Sequence, residues 1–335
     1  MLTGEGRARY DRRDSRDAAM TQLQTPRLCI GLPVYNGEPY LAQAIESLLA
    51  QTFGDFRLII SDNASTDRTG EICRSYAERD ARVDYHRSPA NRGAAWNFNR
   101  VVALADAEYF AWAAHDDLHA PRFAERCIDA LDRQPGAILS YPTAQVIDEH
   151  GTIVAAHREP ADVCGSAPSA RFREMVWNWG LCHMLFGVIR FDALRTAQPF
   201  GPYPASDAVL LAELALRGEF CAVDEPLFLW REHAQRATRA CNSDAELAAW
   251  YAPANAGRMH FRHLTLFANY LRTIARVALP LDERLRCWGI MVRWFVLQFP
   301  TIQDEVRGNI AGPVRRALRR RAAPSQPSDS TRRAA

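Results

Sequence analysis

The chain has 335 residues, 48% of them hydrophobic and 24% charged, with a formal net charge of +2; that is enough to bury a substantial core in one large domain with additions, or in two domains. A balance this even excludes recruitment of nucleic acid or a strongly acidic partner by overall charge, and no uninterrupted apolar run of about 18 residues marks a membrane span. The eight cysteines lie scattered in apolar segments with no close CxxC pair, so they read as reduced core thiols of a cytoplasmic protein, not as a disulfide framework or a zinc site.

Residues 1–25 are arginine-rich and read as a disordered arm without a signal peptide; Met20 leaves open whether residues 1–19 are arm or precede a start. Arg27–Tyr35 reads as a buried strand ended by Pro33. Glu38–Phe53 follows with Leu41, Ile45, Leu48 and Leu49 at helical spacing. A second strand at Phe56–Ser61 precedes a helix over Asp67–Asp80. A third strand at Val83–Ser88 precedes a helix over Ala94–Asp106, with Phe98, Val101, Val102 and Ala105 on one face. Glu108–Ala114 is a fourth strand. This alternation with short connections predicts a mostly parallel α/β sheet with right-handed crossovers.

The pattern then changes. Ala137–Ala156 reads as two strands joined by a turn at Glu149–Gly151, His183–Phe191 as a further strand, Ala205–Phe220 as a helix stopped by Gly218 at its C′ position, and Cys221–His233 as extended chain. These form a mixed region added to one sheet edge. From Gly257 onward three amphipathic helices are expected, at Arg258–Leu279, Asp282–Phe299 and Glu305–Arg321. Their interleaved arginines suit either an appendage packed on the core or a peripheral membrane contact. The expected organisation is an arm (1–25), a unit over 26–240 with halves 26–118 and 119–240, a helical region (241–320) and a disordered basic tail (321–335).

The chemistry gathers at strand ends. The second strand finishes in Asp62, Asn63, Ser65, Thr66 and Asp67. Capping by Thr66 or Asp67 and turn formation by Asn63 and Ser65 account for all of these except Asp62. Asp62 stands at a carboxyl strand end, where open parallel sheets place ligands. Asp116 and Asp117 are adjacent carboxylates that repel one another unless a cation or solvent compensates. They read either as a Mg2+ or Mn2+ site for a phosphorylated ligand, or as a solvated turn before a helix. Pro33–Gly37 ends at the same edge. Asn91 and Arg92, just before the third helix, offer donors to a phosphate or ribose, and Asn97 lies one turn into that helix.

Taken in order, Pro33–Thr69, Asn91–Asn99 and Ala114–Asp117 resemble the N-terminal half of family 2 glycosyltransferases of the GT-A fold, a likeness that covers roughly residues 27–235. The resemblance implies a nucleotide-sugar donor, with Asp62 on the nucleobase and Pro33 and Tyr35 lining the nucleotide pocket. It implies that Asp117, the second acid of a DXD-like motif, holds the divalent cation while Asp116 contacts ribose or sugar. His115-Asp116-Asp117 stands where the motif's name suggests Asp-x-Asp. It implies inversion with an Asp base, here Asp207, with Ser206 where a Glu often stands. As residues alone, Asp207 reads equally as a first-turn acid, and Glu213 is a weaker base candidate. Arg231 and His233 fall where related enzymes close over the diphosphate or complete the metal site. Trp177 and Trp179 suit either a sugar face or the core. The acceptor implied is a sugar, lipid-linked or other hydroxyl, by analogy in polysaccharide or glycoconjugate synthesis. The rival readings are a nucleotidyltransferase, disfavoured because no Gly-rich, Lys-containing loop follows the first strand, and a non-catalytic nucleotide-sugar-binding protein.

Overall fold

A computed structural model describes residues 25–157, 163–164, 167–178, 180, 182–236, 241 and 243–322, the last stretch from 310 onward by its backbone alone. The arm up to residue 24, the end of the basic tail (323–335) and Trp179 therefore lie outside the described residues. The first half is built of β1 (Leu28–Val34), α1 (Leu41–Leu49), β2 (Phe56–Asp62), α2 (Thr69–Arg79), β3 (Val83–Arg87), α3 (Ala94–Leu104) and β4 (Tyr109–Trp112). Then follow β5 (Leu118–His119), α4 (Phe123–Arg133), β6 (Ala137–Ile147), β7 (Ile153–His157), α5 (Pro168–Trp177), β8 (Val188–Arg190), α6 (Phe191–Thr196), α7 (Ser206–Arg217) and β9 (Glu219–Arg231). The chain closes with α8 (Asp244–Tyr251), α9 (Arg262–Arg276) and α10 (Leu281–Ala322).

All the strands join one sheet in the order β3-β2-β1-β4-β8-β6-β9-β5, with β7 paired to β6. The pairs β3-β2, β2-β1 and β1-β4 are parallel. Beyond β4 the sheet is mixed: β8 is antiparallel to both β4 and β6, β9 is parallel to β6, and β5 is antiparallel to β9. This is the mostly parallel sheet with a mixed second half that the sequence led us to expect.

Period-two alternation sorts the strands onto two cores. Leu28, Ile30, Leu32 and Val34 of β1 and Tyr109 and Ala111 of β4 face one cluster, with Leu41, Ile45 and Leu48 of α1 and Phe123, Cys127 and Leu131 of α4. Cys29, Phe110 and Trp112 face the other, with residues of α3, α5, α7, α9 and α10. The result is three layers, helix–sheet–helix, with both sheet faces covered as a parallel sheet requires. Where the chain enters β8 beside β6 the backbones are close: a Cβ on Gly187 would lie 2.2 Å from the Ser140 carbonyl oxygen.

Several expected elements differ. β1 runs through Pro33 to Val34. Gly218 ends α7 in extended backbone (φ −168°), not in the left-handed C′ form. The first four residues of the strand expected at His183–Phe191 form a 3-10 turn at His183–Phe186, leaving β8 three residues. The last two expected helices are one helix of 42 residues, which continues through Pro300 and Pro313.

Candidate active site

The carboxyl ends of β1, β2 and β4 open into a cavity of about 510 Å³. Its walls come from the loops that follow these strands, from α3, from the segment leading into α7, and from α8. Of the residues singled out in the sequence, Pro33, Tyr35, Asn91, Asn97, Asp116, Asp207 and His233 line it. Asp62, Arg92, Asp117 and Arg231 do not.

Asp62 is fully buried. One carboxylate oxygen accepts the Ser65 backbone N–H at 2.8 Å; the other accepts the Tyr85 hydroxyl at 2.9 Å and the Arg87 guanidinium at 2.6 Å. The polar cluster that follows binds loop to loop. Ser65 Oγ and Asp67 accept backbone N–H groups of Asn36 and Glu38, and Asp67 also accepts that of Thr69 at the start of α2. Asn63 accepts the Arg92 N–H and donates to Asn91 and to the Gly93 carbonyl. Asn97 donates to the Val34 and Ser61 carbonyls, which ties α3 to two strand ends. Arg92 turns outward over the Trp96 ring. Gly93 has φ +87°, and a Cβ there would lie 2.5 Å from the Tyr251 carbonyl oxygen, so glycine lets α8 close against the cavity.

On the opposite wall Asp116 Oδ2 meets His233 Nε2 at 2.9 Å. Burial opposes ionisation of Asp116, but His115, the His233 hydrogen bond and Arg236 outweigh it and hold its carboxyl well below the usual range. Asp117 is turned away: its Oδ1 accepts the Arg231 backbone N–H at 2.8 Å, and burial, then the Asp116 charge, raise its carboxyl. The Arg231 guanidinium, expected over a diphosphate, is spent on the carbonyls of Asp116, Asp148 and Glu149 and on Gln43. It is fully buried and lies over Tyr40. Asp117 and Arg231 thus lock the end of β9 behind Asp116.

Asp207 sits in the first turn of α7, where its carboxylate accepts the Ala208 N–H at 3.0 Å. Burial raises its carboxyl above the ordinary value, against the pull of backbone N–H groups and Arg262. Glu213 points elsewhere. It is buried and paired with Arg217 at 2.6 Å and Arg276 at 3.6 Å. Trp177 packs against the core.

Four described non-glycine residues have left-handed backbone: Asn36, Ala64, Cys182 and Ala205. Asn36, Cys182 and Ala205 line the cavity, and Ala64 follows Asn63, which also does. Such conformations cost about 1 kcal/mol or more and persist where surrounding structure imposes them. Ala205 immediately precedes the turn that carries Asp207. Nothing in the residue types signalled this strain, nor the contributions of Arg236, Trp250, Tyr251 and Arg262 to the wall.

A divalent cation can be tested against these groups. No cluster of three or more His, Cys, Asp or Glu side chains is arranged to hold a metal among the described residues. Mg2+ and Mn2+ sites in phosphate-handling proteins need only one or two protein ligands, the rest coming from phosphate and water. His233 Nε2 stands beside the ionised Asp116, and its Nδ1 is buried without a hydrogen-bond partner among the described residues. The donor set fits a cation that arrives with a diphosphate.

Comparison with known proteins places this geometry. Residues 29–196 match the family model described as glycosyl transferase family 2. An uncharacterized glycosyltransferase of Rickettsia typhi, RT0329, is 32% identical over 126 residues, or 37% of this chain and 38% of the relative. The putative glycosyltransferase EpsE of Bacillus subtilis is 32% identical over 127 residues, or 38% and 46%. The chain thus spans less than half the length of these curated relatives. Among solved structures, S. aureus TarS 1-349 in complex with UDP-GlcNAc aligns with a TM-score of 0.57 at 13% identity, over 81% of this chain and 73% of that one. The mannosyltransferase PcManGT from Pyrobaculum calidifontis, in complex with GDP-Man and Mn2+, aligns with a TM-score of 0.51 at 16% identity, over 91% and 78%. At such identities these two structures establish the shared GT-A fold.

Proposed function

Because the chain belongs to glycosyl transferase family 2, we propose that it moves a sugar from a nucleoside-diphosphate sugar to an acceptor hydroxyl, with inversion at the anomeric carbon. The carrying observation is that the Asp116–His233 pair and the Asp207 carboxylate face one cavity at the carboxyl edge of the sheet.

In this reading residues 26–240 form the catalytic unit and 241–320 a helical appendage. Tyr35, Asn36, Asn63 and Asn91 line the nucleotide side. Asp62 and Arg87 hold that side's loop in shape from behind, and Asn97 fixes the strand ends. The backbone N–H groups of Arg92 and Gly93, just before α3, are taken up by the Asn63 and Asn91 side chains, which shape this wall. Asp116 and His233 would hold a divalent cation, which when bound offsets the charge of the departing diphosphate. Asp117 and Arg231 anchor Asp116.

Asp207 acts as the general base. Its raised carboxyl suits proton abstraction near neutral pH better than an ordinary exposed acid does. The acceptor oxygen forms its bond to the anomeric carbon as the bond to the diphosphate oxygen breaks. The acceptor proton passes to Asp207, and the nucleoside diphosphate leaves with the bonding pair. The acceptor is a sugar, lipid-linked or other hydroxyl, and the setting is polysaccharide or glycoconjugate synthesis.

The test is a thermal-shift screen against UDP-, GDP-, dTDP- and CDP-sugars, each with Mn2+ or with EDTA. Selective, metal-dependent stabilisation by one donor is the expected result, since a ligand that binds only the native state raises its stability. Absence of any shift overturns the donor assignment.

A further inference from the structure

Helix α10 has two apolar faces, and the described residues cover only one. Cys287, Met291, Trp294 and Ile302 are buried, in a helix that packs on α9 and α5. About 120° around the helix, Leu281, Leu285, Trp288, Val292, Val296 and Phe299 form a second stripe at spacings of three and four residues. These six are 45–72% exposed. At 1.5 Å per residue the stripe is roughly 27 Å long. Single exposed apolar residues are ordinary, but a continuous stripe of this kind marks an interaction surface.

The charge distribution identifies the partner. Residues 306–335 carry eight arginines and one acid, Asp329, so within a total of +2 the chain up to residue 305 is net −5. Five of those arginines, Arg315, Arg316, Arg319, Arg320 and Arg321, fall in the last turns of the same continuous helix. The strongly positive end of the longest helix among the described residues is complementary to an anionic plane. No helix among the described residues is long and apolar enough to cross a membrane, so the stripe suits a helix lying in the interface.

We propose that α10 docks the protein on an anionic lipid surface, with the Leu281–Phe299 stripe in the headgroup–acyl boundary and the arginine-rich end on the headgroup charges. A second copy of the chain is the rival occupant of the stripe, and the light-scattering arm of the experiment below reads it. The proposal concerns a surface separate from the cavity and does not depend on the reaction assigned there.

The experiment is flotation of the full chain with vesicles of phosphatidylcholine alone or mixed with phosphatidylglycerol. Binding is expected only to the mixed vesicles, and salt should weaken it. Each arginine removed by Arg319→Gln or Arg320→Gln should weaken it about fivefold, as one basic residue near such a surface is worth roughly 1 kcal/mol. Trp288→Glu with Val292→Glu should abolish it; both side chains are exposed, so the variant should keep the wild-type unfolding temperature and donor-induced shift measured without vesicles. Equal binding to neutral vesicles, no binding to either, or a dimer in light scattering that the same double variant dissolves would overturn the proposal.

Discussion

Asp62 offers a quantitative test of how the nucleotide side of the cavity is held. Its carboxylate accepts three hydrogen bonds, and Asp62→Ala removes all three. The Ser65 N–H is buried and is left without an acceptor, which costs about 1–3 kcal/mol. The Tyr85 hydroxyl is half-buried and adds roughly 1 kcal/mol. The Arg87 side chain is 43% exposed and can turn to water, so the charge pair adds only about 0–1 kcal/mol. The expected loss is therefore about 3 kcal/mol, read as a lower urea midpoint at unchanged slope. Asp62→Asn keeps a carbonyl acceptor and should lose about 1–2 kcal/mol while retaining the donor-induced thermal shift. An Ala variant with the wild-type midpoint would refute the reasoning. An Asn variant of full stability that no longer binds donor would show that the carboxylate reads the nucleotide directly.

Three further outcomes follow from the same geometry. Asp207→Asn should retain donor binding and lose about 10²–10⁴ in kcat, and the acid limb of the wild-type pH–rate profile should lie above the ordinary carboxylate value because burial raises this carboxyl; unchanged turnover removes Asp207 as base. His119 is buried between Phe123 and Phe228, and neither ring nitrogen has a hydrogen-bond partner among the described residues. Burial lowers it from 6.5 to about 3, so its contribution is intact above the unfolded value and is lost as pH falls; at pH 4 the loss is about 3 kcal/mol, and His119→Leu should flatten that part of the stability curve. Gly187→Ala should destabilise by about 3 kcal/mol or more, because its Cβ would press on the Ser140 carbonyl; a midpoint within error of wild type would show that the β6–β8 approach is looser than described.

Much of the sheet was legible because its signals are local. Apolar runs such as Leu28–Val34 and Leu58–Ile60 cannot be exposed, and each is followed by an amphipathic helix after a short connection. Asp62 was conspicuous because capping explained its neighbours and left it over. What stayed illegible depends on tertiary contacts. Prolines usually end helices, so the passage of α10 through Pro300 could not be foreseen. The 3-10 turn at His183–Phe186 has a strand-like composition. Arg231 has the residue type of a phosphate ligand, and only packing reveals that its donors are consumed by backbone carbonyls. The left-handed Ala205 and Cys182 break local preference, as residues at a working site often do, and no sequence pattern announces them.

The measurement that tests the central claim most directly is product analysis with the donor selected by thermal shift, Mn2+ and a panel of hydroxyl acceptors, for the wild-type chain and Asp207→Asn. The account predicts release of nucleoside diphosphate with formation of a β-linked product from an α-linked donor, and little of either from the variant. Release of pyrophosphate would indicate nucleotidyl transfer. Stable donor binding with neither transfer nor hydrolysis would mean that the cavity binds a nucleotide-sugar without acting on it.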